Sequence, residues 1–74
     1  MIKVVGIQFK EVGKIYWFNP IPYELKVNDL VVVETIRGIE LGKVVKGIES
    51  VPKESLEYEL KNVIRIATKE DIEG

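Results

Sequence analysis

Cysteine and histidine are both missing from this 74-residue chain. Without cysteine its residues can build no disulfide, no thiolate nucleophile and no iron–sulfur or cysteine-type zinc site. Without histidine the commonest general base and the commonest metal ligand are gone as well. No apolar run approaches the length needed to span a bilayer. The opening residues do not read as a secretory signal, because Lys3 and Gly6 sit in strand-like alternation. The expectation is a soluble, cytoplasmic protein with no membrane contact. An excess of one charge is missing too, since eleven Lys and Arg stand against twelve Asp and Glu. The net charge of −1 gives the whole domain no electrostatic footprint for nucleic acid. Its distribution is mildly uneven, with Lys3, Lys10 and Lys14 against Glu11 near the start and a more acidic stretch over 49–74.

Catalysis finds little to work with in what is left. Glu57 and Glu59 are spaced as one solvated strand face. The glycines at 38 and 42 lack the Lys-Ser/Thr pair and the strand–loop–helix context of a phosphate cradle. A non-catalytic protein with no cofactor bound by this chain is the expectation.

What is present is β-branched. Ten Ile, eleven Val and two Thr make almost a third of the sequence, which favours strands over helices. Residues 2–9 read as a first strand with Val5, Ile7 and Phe9 on one face, and Gly6 marks a bulge or a close backbone approach. A turn over 10–14 leads to a second strand at 14–19, where Trp17 must point away from Tyr16 and Phe18. Pro20 and Pro22 end it. Further strands are expected at 23–27, 30–36 and 39–48, and a long, bent one at 56–67. Asn28-Asp29 reads as a tight turn. Thr68 reads as a helix N-cap, so 68–74 is expected to start a helix or linker, with the chain continuing into a longer protein. One domain over 1–74, all-β, is the expected architecture: a small five- to six-stranded, mostly antiparallel barrel of SH3-like or OB-like kind.

The hairpin over 30–45 permits a register argument. With Arg37-Gly38 as a two-residue loop, Ile36 faces Ile39 and Glu34 faces Leu41. Glu34 then interrupts an apolar row, and pairing with Lys43 or Arg37 near the surface is its simplest accommodation. Ile36 and Ile39 would project past the core at the tip.

Three stretches carry a family resemblance: VVGIQFKEVGKIYWFNP, LKVNDLVVVETIRGIELGKVV and LKNVIRIAT. Their order and spacing resemble the N-terminal region of YaaT-type (RicT-type) proteins, of the polymerase-suppressor C-terminal-domain family. The sharpest element is V-V-E-T-x-R-G-x-E-x-G-x-V-V. The resemblance implies a regulatory, non-catalytic role within a longer protein. It implies two small helical partners, YlbF-type and YmcA-type, and an influence on mRNA processing by RNase Y, on sporulation and on competence. The iron–sulfur clusters of such complexes would need cysteines lying downstream of this region, so no ligand set comes with it. Where the family often has glycine before Asp29, this chain has Asn28, which tolerates positive φ.

Two candidate surfaces result. The first is a protein contact at the hairpin tip, made by Glu34, Ile36, Arg37 and Ile39 toward another subunit or the downstream part of the same protein. The alternative is single-stranded nucleic acid stacked on Tyr16 or Trp17 beside Lys14.

Overall fold

The computed structural model of the chain describes residues 1–9 and 12–73. Its strands form where β-branched residues concentrate: β1 (Ile2–Phe9), β2 (Val12–Phe18), β3 (Leu30–Thr35), β4 (Gly38–Val51) and β5 (Val63–Ile66). A short helix, α1 (Lys69–Glu73), follows. All four ladders are antiparallel, in the order β2-β1-β4-β3-β5. The 14-residue β4 organises them, because residues 38–43 pair with β3 and residues 43–51 pair with β1. A strand shared in this way bends between its partners, and register shifts on either side of Gly6 add curl. The outer strands thereby approach each other. One parallel bridge, Asn19 with Asn62, spans the gap without a continuous ladder. The all-β, barrel-like fold expected from the composition is the one observed, with its sheet not closed by regular pairing. Lys10 and Glu11 of the expected first turn lie outside the described residues.

Inside the curl lie Val5, Ile7, Phe18, Leu25, Val31, Val33, Val44 and Val63, with Phe9, Tyr16 and Tyr23 packed at their margin. Among the described residues no polar or charged residue is buried, and the part-buried Tyr23 hydroxyl at the core margin donates to the Ile64 carbonyl.

Two expected strands differ from what forms. Residues 23–27 alternate as a strand should, yet they are irregular because their polar groups are used locally. Tyr23 N–H donates to the Pro20 carbonyl at 2.8 Å, and Lys26 N–H donates to the Asp29 carboxylate at 2.9 Å. Only Leu25 of that apolar row is buried. The last strand is Val63–Ile66 and not 56–67. The length of β3 sets the limit: Val33 pairs with Val63, Glu34 N–H reaches the Asn62 carbonyl at 3.1 Å, and the next residues turn. Residues before 62 therefore run past the end of the strand they would pair with.

The β3–β4 hairpin sits two residues away from the expected register. Thr35 faces Gly38 and Glu34 faces Ile39, so the loop is Ile36-Arg37 and not Arg37-Gly38. Thr35 is the cause. Its hydroxyl accepts the Arg37 N–H at 3.1 Å and donates to the Glu40 carboxylate at 2.7 Å, which closes the turn early. A slip of two keeps every side chain on its face, but the row facing the core is Val31 and Val33 rather than Leu30, Val32 and Glu34. Glu34 therefore interrupts no core row. It is exposed and makes no ion pair with Lys43 or Arg37, contrary to the pairing expected.

Gly38 takes φ +113° just past the turn, with open space where a Cβ would stand. The cost of Gly38→Ala is therefore conformational, about 1–3 kcal/mol. Urea denaturation should show a lower midpoint with an unchanged slope. Asn28 adopts φ +82°, as its place in the turn required.

Thr68 stands just before α1 and caps it, the role expected of it. The Thr68 hydroxyl accepts the Asp71 N–H at 3.3 Å, and the Asp71 carboxylate accepts the Thr68 N–H at 2.7 Å. The same carboxylate forms a two-pronged ion pair with Arg65 of β5, one arm at 2.8 Å. The Arg65 guanidinium first, and the Thr68 N–H second, hold the Asp71 carboxyl well below the usual carboxylate range. Since the folded value is the depressed one, the clasp is fully formed above the ordinary pKa, near about pH 4. It is lost only as pH falls through the lower folded value. In an NMR titration Asp71 should stay ionised through the pH range in which an unperturbed aspartate protonates. Asp71→Asn should fray α1 and leave the unfolding midpoint of the sheet in place.

Candidate functional site

The mouth of the curl is an open groove of about 690 Å³. It runs between the β2 edge, the tip of the β3–β4 hairpin and residues 57–61. Strand alternation puts Tyr16 and Phe18 on the inner side of β2, and Phe9 joins them from β1. The Phe9 ring lies 6.0 Å from Tyr16, centroid to centroid, and 6.0 Å from Phe18 in an edge-on arrangement. The floor is thus aromatic. Around it stand Lys14, Arg37 and Lys61 against Glu34, Glu40, Glu57 and Glu59.

Both surfaces singled out from the sequence meet here. Lys14, Tyr16 and Trp17 line one side, and Glu34, Ile36 and Arg37 line the other. Ile39 is not part of the lining; it faces Glu34 across the hairpin, 67% exposed. Ile36 is 91% exposed. A side chain so uncovered adds almost nothing to the stability of the chain alone. Among the described residues the side chains of Glu34 and Arg37 make no ion pair and no hydrogen bond. Their neighbours in the turn are committed: Thr35 and Glu40 bond each other, and Gly38 supplies the positive φ.

One cation already sits on the aromatic floor: Lys14 Nζ lies 5.5 Å from the Tyr16 ring centre. Lys46, which is not part of the groove lining, has its Nζ 6.0 Å from the ring centre of Trp17. Acids outnumber bases on the rim, which gives a phosphate backbone weak purchase. Among the described residues no group of three or more His, Cys, Asp or Glu is placed to hold a metal ion. Nor is any helix there long and apolar enough to cross a membrane.

Sequence reasoning missed two contributors. Thr35, three residues before Gly38, carried a turn signal that the choice of loop passed over. Tyr58 was assigned to a strand, whereas its hydroxyl accepts the Trp17 N–H at 2.8 Å beside the groove. Nothing in its sequence context points to that role.

Comparison with known proteins gives one informative match. The chain is 39% identical over 72 residues, 97% of its length, to the stage 0 sporulation protein YaaT of Bacillus subtilis. It spans 26%, about a quarter, of that relative's length. No family model matches the chain, and no solved structure does.

Proposed function

We propose that this YaaT-type chain is a non-catalytic protein-interaction module of a regulatory protein, docking its partner through the hairpin tip and the groove behind it. The observation that carries the proposal is Ile36, a large aliphatic side chain held 91% exposed by a turn locked from below. Beside it stand two charges of opposite sign, Glu34 and Arg37, that form no ion pair among the described residues. An apolar anchor flanked by polar rim groups is the usual anatomy of a protein contact.

The relative's name refers to sporulation, and a regulatory role in sporulation is the broad form of the proposal. Its finer form follows the family resemblance carried by residues 32–45. The partners are then YlbF-type and YmcA-type helical proteins, and the output is RNase Y-dependent mRNA processing and competence as well as sporulation. Iron–sulfur chemistry in such an assembly would fall to cysteines outside this chain.

The test is partner capture and calorimetry with the wild-type chain, Ile36→Asp and a variant at Ile39. Full partner binding by folded variants would remove the docking surface from the tip. Labelled single-stranded RNA at two salt concentrations is the second arm. Binding that weakens as salt rises would put Lys14, Tyr16 and Trp17 ahead as the working surface.

A further inference from the structure

Residues 56–61 lie along one wall of the groove, and little holds their middle. None of them is buried; Leu56 and Leu60 are half-buried, and Glu57, Tyr58, Glu59 and Lys61 are exposed. The ends are fixed. Downstream, Asn19 N–H donates to the Lys61 carbonyl at 2.9 Å, and Val63 N–H donates to the Asn19 carbonyl at 3.0 Å. Upstream, a short 3-10 turn over Lys53–Ser55 closes with Ser55 N–H on the Pro52 carbonyl at 3.0 Å. Between these anchors, the hydrogen bond that ties the segment to β2 among the described residues is the one from Trp17 N–H to the Tyr58 hydroxyl.

That donor sits on the outer edge of β2. In an antiparallel pair, main-chain groups alternate between facing the partner strand and facing away. Trp17 turns its N–H away from β1, so Ile15, two residues earlier, presents its main-chain groups to the same edge. An edge of this kind invites pairing unless something covers it. Opening the segment costs one net hydrogen bond and the partial burial of two leucines, much less than unfolding the sheet.

We propose that residues 56–61 are a strap that opens and closes over the groove, with the Tyr58 hydroxyl as its latch on the edge of β2. Closed, the strap satisfies the Trp17 donor and narrows access to the aromatic floor. Open, it exposes both. As regulation of docking this rests on the function proposed above; as a motion of the chain it does not.

Amide hydrogen exchange by NMR, on the wild-type chain and on Tyr58→Phe, separates the two. In the wild type the Trp17 amide should exchange faster than the amides of β3, whose strand is paired on both sides. In Tyr58→Phe the Trp17 rate should rise at least about fivefold, the worth of one net hydrogen bond, with β3 unchanged. If β3 also speeds up in the variant, the wild-type comparison decides. A wild-type Trp17 amide as slow as those of β3, or a Trp17 rate unaltered by Tyr58→Phe, would overturn the strap. No partner is present in this experiment, so failure of docking at Ile36 leaves its outcome untouched.

Discussion

Alanine at Gly42 is expected to lower the stability of this chain by about 3 kcal/mol, and valine to prevent folding. Gly42 pairs with Val31 in the β3–β4 ladder and faces the core. A Cβ built there would lie 2.4 Å from Cγ2 of Ile7 and 3.3 Å from Cε1 of Phe9. Ile7 is fully buried and branched at Cβ, so it has few rotamers to escape into without moving β1. A domain this size has about 4–11 kcal/mol in total, so the loss is a large share of it. The melting temperature should fall by roughly 12–24 °C. Ile7→Ala supplies the control. It is destabilising alone, but combined with Gly42→Ala it should recover about 1–2 kcal/mol relative to the sum of the single changes. Strict additivity would show that the Ile7 contact is not the cause. The same absent side chain seats Phe9, and with it the floor of the groove, so a folded Gly42→Ala should also perturb docking.

Much of this fold was legible because its signals are local. Alternation placed β1, β2 and β3 to within a residue or two, and Thr68 marked the start of α1. The misreadings share one physical origin. Residues 23–27 and 56–61 alternate as strands do, but alternation says nothing about whether a neighbouring edge is available. Pro20 and Asp29 took the polar groups of the first segment, and the short β3 left the second without a partner. The hairpin was misread for a related reason. Glycine at position 38 suggested a loop containing it, whereas the Thr35 hydroxyl closes the loop one residue earlier and leaves Gly38 as its exit. The candidate site was half legible. Ile36 and Ile39 were expected at the tip and are there, but the meeting of the tip with Lys14, Tyr16 and Trp17 in one groove depends on the curl of β4. No pattern within either segment encodes that meeting.

Ile36→Asp should weaken partner binding at least about thirtyfold while changing stability by no more than about 0.5 kcal/mol. The two halves of that expectation have one source. At 91% exposure the side chain has almost no contact to lose within the chain, so all of its apolar area is available to a partner. Aspartate in its place would have to be desolvated on docking, which adds a penalty to the lost contact. Ile39 needs a different substitution. It faces Glu34 across the ladder, so Ile39→Asp would set two carboxylates opposite each other and weaken the hairpin itself. Ile39→Lys avoids this by forming a cross-strand ion pair while still removing the apolar surface, so a loss of binding there cannot be assigned to a damaged turn. Arg37→Ala completes the set. As an exposed rim charge it should slow association and reduce the salt dependence of binding, with little effect on dissociation. A tip that anchors a partner therefore shows slow association at Arg37, fast dissociation at Ile36, and an intact fold at both. Unchanged binding by a folded Ile36→Asp variant would place the contact elsewhere on the sheet.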